Sequence, residues 1–244
     1  TNIVTCPILA AGARDKAMDS HIGAAGVQPG AIWINKTGRR FANEGTAENI
    51  GDIGPLYGKQ PDGIVWSVLD QANIDRLAEN GSEISIGEFV VFGRPLDRLR
   101  MELDQDVADG VAFAANTPEE LAEKIGVSPE NFAATVAAYN EACAAGDDKE
   151  FFKQEKYLRP LSIPPFYAVA LATGTMGSAG GIRINGNMQV VDKDYEPIPG
   201  LYAVGLDATG LYGDSYNMEV PGAANGFAHT SGRIAGRHFA AQQA

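Results

Sequence analysis

Hydrophobic and polar positions change period several times along this chain, and those changes divide it into segments. Ala31-Ile32-Trp33-Ile34-Asn35 reads as a short strand closed by a turn at Lys36-Thr37-Gly38-Arg39, while residues 1–29, rich in small side chains, read as loop or weak helix. Residues 45–62 hold several glycines and prolines and few hydrophobes, the composition of a connection leaving one domain for another. The run Gly63-Ile64-Val65-Trp66-Ser67-Val68-Leu69-Asp70 predicts a buried strand, and Gln71–Asn80 a helix stopped by Gly81. Thr117-Pro118-Glu119-Glu120 then combines a capping Thr, Pro at the first helical position and Glu three residues after the cap, with Leu121 and Ile125 as the apolar face. Ser128-Pro129 starts a second helix, where Phe132, Val136, Tyr139 and Cys143 recur at helical spacing until residues 145–148.

From Pro164 the pattern returns to strands. Residues 166–171 form one, and residues 181–185 and 189–192 flank Gly186-Asn187, a hairpin signal. Residues 200–205 predict a buried strand running into a glycine-rich stretch. Residues 222 to about 242 predict a closing helix, whose Ala223, Ala224, Gly226, Ala228, Ser231 and Gly232 allow close approach at its N-terminal end. There is no internal repeat. The order is sheet domain, inserted α+β unit, sheet domain again, so the expected fold class is mixed α+β or α/β.

Charge and reactive residues narrow the chemistry. A net charge of -12 argues against partners whose phosphates would be repelled, so neither nucleic acid nor an anionic membrane surface is expected. A locally basic pocket could still take an anionic substrate. Cys6 and Cys143 make no disulfide framework, and His21, His229 and His238 lie too far apart for a compact metal site, so no metal is expected. No apolar run is long enough to span a bilayer, so membrane insertion is not expected. The chain has no initiator Met and no signal-peptide pattern, and it begins as if cut from something longer. Localisation stays open between cytoplasm and export, with any signal upstream of residue 1.

Three segments resemble one family, the soluble fumarate reductase flavoproteins with the succinate dehydrogenase flavoprotein subunits and 3-ketosteroid dehydrogenases. They are Asn35-Lys36-Thr37-Gly38-Arg39-Arg40-Phe41-Ala42-Asn43-Glu44; the helix pair of residues 117–148 with its approach to Pro165-Phe166-Tyr167; and Pro197-Ile198-Pro199-Gly200-Leu201-Tyr202-Ala203-Val204-Gly205 with Gly232-Arg233-Ile234-Ala235-Gly236. The resemblance implies a partial flavoprotein sheet domain with an inserted capping domain. Residues 1–50 would belong to the FAD-binding domain, 51–163 to the substrate cap, and 164–244 to the return of the FAD-binding domain with its closing helix. FAD is the implied cofactor.

The family's Gly-x-Gly-x-x-Gly turn after a strand does not occur here; Gly174, Gly177, Gly180 and Gly181 have the wrong spacing. The ADP end of FAD would therefore be held by a missing N-terminal segment, the implied partner. The closing helix has its own physical logic. Its N-terminus carries unpaired N–H groups and about half a positive charge, suited to the negative charge that develops on a reduced flavin pyrimidine. The resemblance puts isoalloxazine contacts on Gly222, Ala223, Ala224 and Asn225; the family's acidic contact to the flavin ribityl chain would fall on Leu206, with Asp207 adjacent, so Gly205 and Asp207 are the further candidates for cofactor contact. Small residues equally permit a helix packed tightly on a strand.

Departures from the family bear on the reaction. The position matching the proton-donating arginine of fumarate reductases is Glu48, that of the substrate histidine is Gly174, and the later arginine falls at Glu219 or Tyr216. A pocket without those guanidinium forks should not favour a dicarboxylate. What remains is Tyr212, Asp214, Ser215 and Tyr216, where a phenol could act as an acid or hydrogen-bond an enone carbonyl. Tyr212 and Tyr216 could equally be packing residues, and Asp214 a turn residue. The expectation is hydride transfer between FAD and an activated C–C bond of a small organic substrate that is not fumarate, in a protein of which this piece alone would be inactive. The alternative is a non-catalytic binding or assembly module that kept the fold and lost the site.

Overall fold

Antiparallel strands form the larger sheet, and their pairing follows from the apolar runs. The computed structural model describes residues 3–9, 20–85, 91–178, 180–208, 220 and 222–243. It divides into two compact units, residues 7–174 and residues 175–244 with 1–6.

In the first unit, β2 (Ile32–Ile34) pairs with β3 (Ile64–Asp70), and β3 with β5 (Phe166–Ser178), in registers Ile32↔Val68 and Ser67↔Val169. β4 (Ala112–Ala115) pairs with the same stretch of β5; β1 (Ile3–Leu9), whose residues 3–6 are counted with the second unit, is hydrogen-bonded to β5 as well. Two helices cover this sheet, α5 (Pro118–Ile125) and α6 (Pro129–Ala145). Both begin as the sequence dictates. The hydroxyls of Thr117 and Ser128 accept the N–H groups of Glu120 and Asn131, and both helices stop at left-handed glycines, Gly126 and Gly146. Their apolar faces put Leu121, Ile125, Phe132, Val136 and Tyr139 against Ile32, Ile34, Val68 and Ala168. Truncating Phe132 to Ala would remove about 3–5 kcal/mol from this core.

Other helices flank that core: α1 (His21–Gly26), α2 (Ile50–Gly58), α3 (Gln71–Asn80) and α4 (Leu99–Ala108). Asp70 ends β3 and caps α3 through the Asn73 N–H at 2.9 Å. Its second oxygen accepts the N–H groups of Ser162 and Ile163, each at 2.9 Å. One buried carboxylate thus ties a strand, a helix and a distant loop together.

The second unit is smaller. β6 (Gln189–Val191) pairs with β7 (Pro197–Tyr202), and α7 (Ala223–Gln242) follows. Val190, Ala203 and Ala208 form its small core, with Ile184 and Phe227 against them.

Three sequence expectations are corrected and one is refined. Residues 45–62 are not a bare connection: a 3-10 turn (Glu44–Glu48) and α2 occupy them, with Pro55 inside the helix and Ile53 and Tyr57 fully buried. Residues 1–29 include β1 and α1. The expected buried strand at residues 200–205 is exposed along β7, with Leu201 47% accessible. The hairpin around Gly186-Asn187 is present as the bridge Ile184↔Val190, but its left-handed residue is Met188 (φ 64°), and Asn185 closes the turn through its side chain. The chain is mixed α and β with antiparallel sheets.

Candidate flavin site and a buried charge network

In the smaller unit β7 leads through Ala203 and Val204 to Gly205, whose φ of 61° turns the chain into the 3-10 turn Gly205–Asp207. A side chain at 205 would meet only ordinary contact with Ala228 at 3.6 Å, so the left-handed backbone is what requires glycine there. The Gly205 N–H donates to Ser231 Oγ at 2.9 Å, and that hydroxyl donates to Ala228 O at 3.2 Å. The turn is thereby seated on α7. From the other side the Ile182 N–H donates to Asp207 O at 2.7 Å, and a Cβ on Gly181 would stand 2.2 Å from that oxygen. An open cleft of about 540 Å³ is lined by Gly180, Gly181, Ile182, Tyr202, Ala203, Val204 and Asp207.

The predicted contact residues stand at the start of α7. Gly222 occupies the N-cap with φ 78° and no side chain caps the first turn. Among the described residues, chain neighbours and the helix's own backbone aside, no atom lies within 4 Å of where a Cβ would sit on Gly222 or Gly226. Gly222 and Asn225 are exposed, and Ala223 and Ala224 half-buried. Gly205 meets α7 farther along, at Ala228 and Ser231, and Asp207 is exposed beside the cleft. These residues fit a flavin: the first turn of α7 offers backbone N–H groups for the pyrimidine oxygens, although that of Ala223 already donates to Val220 O at 3.1 Å, Asp207 offers a carboxylate for ribityl hydroxyls, and the glycines let a cofactor approach backbone. Tyr212, Asp214 and Tyr216, the predicted catalytic residues, lie outside the described residues, as does Ser215.

The larger unit holds a buried charge network that sequence reasoning did not find. Arg40 donates from Nε and Nη2 to the two oxygens of Glu44, at 2.9 and 2.7 Å, and from Nη2 to Asp148 Oδ2 at 2.8 Å. Its guanidinium lies between the rings of Tyr139 and Phe151, 4.9 Å from each centroid. Lys153 Nζ donates to Ala31 O and Tyr139 Oη, each at 2.9 Å, and stands 3.3 Å from Glu44 Oε2. Two cations and two carboxylates cancel.

Burial works against every charge in the network. For Lys153 it prevails, and the ammonium's pKa is lowered although Glu44 opposes this. For Glu44 the attraction of Lys153 and the bonds from Arg40 outweigh it, and the carboxyl is held below its ordinary value. Arg40 is raised by its bonds to Glu44 and Asp148, which together exceed its burial penalty. The i,i+4 pair Arg40–Glu44 was readable in the sequence. Asp148 and Lys153, more than a hundred positions away, left no local signal.

At the outer end of the 3-10 turn that carries Glu44 stands Glu48. Its Oε1 accepts from Tyr157 Oη at 2.5 Å and from Lys156 Nζ at 2.8 Å. The donors hold this carboxyl below its ordinary pKa. Burial, and the bond to Glu48, raise that of Tyr157. Among the described residues no cluster of histidine, cysteine and carboxylate groups could hold a metal, and no helix is long and apolar enough to cross a membrane.

Comparison with known proteins places this geometry. A family model described as an FAD binding domain matches residues 2–222. Vinyl phenol reductase of Lactiplantibacillus plantarum is 38% identical over 220 residues, covering 89% of this chain and 44% of that protein. The open conformation of a flavocytochrome c3 fumarate reductase shares 26% identity at a TM-score of 0.59, covering 96% of this chain and 36% of that one. The 3-ketosteroid delta1-dehydrogenase of Sterolibacterium denitrificans superimposes at a TM-score of 0.74 with 24% identity, a likeness of fold, covering 99% and 43%. The chain spans less than half the length of each. It belongs to the FAD binding domain family, among the fumarate reductase-like flavoproteins, and the cofactor of that family is FAD.

Proposed function

We propose that this chain is the C-terminal part of an FAD-dependent oxidoreductase in which a hydride moves between the flavin and an activated C–C bond of a small organic substrate. The observation that carries the reading is the glycine turn at Gly205 seated on α7, whose own first turn has no side-chain cap among the described residues. In this reading Gly222, Ala223, Ala224 and Asn225 face the flavin pyrimidine, and Gly205 and Asp207 its ribityl side. FAD, when bound, supplies the two-electron chemistry; the protein orients the substrate and manages the proton. Residues 51–163 serve as the substrate cap. A dinucleotide-binding segment N-terminal to this chain completes the cofactor site, and this piece alone is inactive. Tyr212, Asp214 and Tyr216 remain candidates for contacts with the substrate.

The 38% identity to vinyl phenol reductase supports an alkene conjugated to a ring as the substrate class. Glu48 and Gly174, standing where fumarate reductases carry an arginine and a histidine, support the exclusion of fumarate. The test is an absorption spectrum of the full-length protein after incubation with FAD and desalting, followed by turnover assays with 4-vinylphenol and with fumarate. Retained flavin with alkene reduction and weak fumarate activity is expected. Efficient fumarate reduction would overturn the substrate class, and a colourless protein would leave a non-catalytic module as the better reading.

A further inference from the structure

We infer that Asn185 is a site of spontaneous deamidation, promoted by its own turn: the Gly186 nitrogen closes on the Asn185 side-chain amide and converts it, through a cyclic imide, to aspartate and isoaspartate. The site lies within the smaller unit and does not depend on the reaction proposed above.

An Asn–Gly pair hinders this reaction least, because glycine has no side chain to shield its nitrogen. The chain holds three such pairs, Asn80-Gly81, Asn185-Gly186 and Asn225-Gly226. The structure separates them. The Gly226 N–H donates to Gly222 O at 2.8 Å in the first turn of α7, so attack there requires a helical hydrogen bond to break. The Gly81 N–H donates to Leu77 O at 3.1 Å, and Gly81 is buried, with Gly93 C only 2.5 Å from where a Cβ would sit. That backbone has no room to move. The Gly186 N–H donates to no described residue, and Gly186 is exposed. Chain neighbours aside, no atom of the described residues lies within 4 Å of a Cβ placed on it.

The surroundings of Asn185 also favour the step. Its Oδ1 accepts the N–H groups of Asn187 at 2.9 Å and Gln189 at 3.1 Å, and its Nδ2 donates to Gln189 Oε1 at 3.1 Å. These bonds fold the side chain over residues 187–189 instead of leaving it in water. Two backbone N–H groups on the amide oxygen stabilise the negative charge that gathers there when the amide carbon is attacked.

The step balances. The Gly186 nitrogen bonds to Asn185 Cγ and gives its proton to water, while Nδ2 takes a proton from water and leaves as ammonia. Water then opens the imide. Cleavage at Cγ gives aspartate, and cleavage at the main-chain carbonyl gives isoaspartate. No oxidant or reductant is involved.

The hairpin registers the change. Both products lose the Nδ2 donor to Gln189 and add a negative charge to a segment that already carries Asp192, Asp194 and Glu196. Isoaspartate also lengthens the main chain by one carbon. It does so inside the turn closed by Asn185 N to Gln189 O and Met188 N to Asn185 O, each 3.0 Å, beside the bridge Ile184↔Val190. Ile184 and Val190 pack in the small core of this unit, which loosens as the residue ages.

Incubating the folded 244-residue chain in neutral buffer made with ¹⁸O water, then mapping its peptides by mass spectrometry, tests the inference. Label should enter residue 185 roughly fivefold or more faster than residues 80 and 225, the ratio set by the hydrogen bond each of those must first give up. In urea the three rates should converge. Gly186→Ala should slow conversion at 185 and leave the other two sites unchanged. Label entering residue 80 or 225 as fast as 185 in the folded chain would overturn the inference. So would a rate at 185 slower folded than in urea, which would mean that the turn protects Asn185.

Discussion

The N–H of Gly205 and the hydroxyl of Ser231 meet at 2.9 Å, joining the segment that leaves β7 to the middle of the closing helix. Ser231 is fully buried, Ala235 being the other buried residue described in α7, and its hydroxyl uses its own proton on Ala228 O. The bond fixes how the turn of residues 205–207 sits on the helix. That is why a serine stands among alanines and glycines.

Ser231→Ala should therefore destabilise the smaller unit by about 1–3 kcal/mol, because the Gly205 N–H is left buried without a partner. Gly205→Ala should cost about 1–2 kcal/mol through backbone strain, the contact with Ala228 being ordinary. Urea denaturation read by a probe in residues 180–243 should register both, and a probe on α6 should register neither.

The larger unit should be most sensitive at Arg40. Arg40→Met keeps volume but leaves Glu44 and Asp148, both buried, without their guanidinium. Losing one member of a buried charge network typically removes about 3–5 kcal/mol. Replacing Arg40 and Glu44 together by apolar residues should be less damaging than Arg40→Met alone, a non-additivity that a double-mutant cycle would measure directly.

How far these features could be read from sequence depended on how local their causes are. Thr117, Pro118, Ser128 and Pro129 act on the next few residues, so α5 and α6 were legible with their starts and stops. The glycine turn and the small-residue start of α7 were legible for the same reason. Residues 45–62 misled because Pro55 and three glycines within α2 lower helix propensity, whereas burial of Ile53 and Tyr57, the latter edge-on to Trp33 at 5.2 Å, outweighs it. The partners of Arg40 were illegible because an ion pair spanning 108 positions leaves no period in the chain.

Acid should weaken the same network. Burial opposes ionisation of Glu44 and Asp148. The charge of Lys153 with the bonds of Arg40 overcomes it for Glu44, and the bonds of Arg40 overcome it for Asp148, so both folded pKa values lie below ordinary. Each group then binds fewer protons folded than unfolded. Their stabilisation is fully present above the unfolded values near ~4 and is lost as pH falls through the folded ones. Urea midpoints should hold steady from about pH 7 to pH 5 and drop below about pH 4. Glu44→Gln should start lower and fall less steeply.

The cleft at Asp207 gives the sharpest distinction between packing and cofactor binding. Alanine at 181 would place a methyl 2.2 Å from the Asp207 carbonyl oxygen, a distance no backbone tolerates, so the Ile182 N–H must release that oxygen and the 205–207 turn must shift. If Asp207 and the adjoining turn contact FAD, Gly181→Ala in the full-length protein should weaken flavin binding by at least about tenfold, or ~1.4 kcal/mol. Gly186→Ala is the matched control, since, chain neighbours aside, no atom of the described residues lies within 4 Å of a Cβ there. Flavin-fluorescence titration of the two apoproteins decides the point. Loss of affinity in Gly181→Ala alone assigns the cleft to the cofactor, whereas equal affinities would mean that the turn serves the fold and that the flavin is held elsewhere.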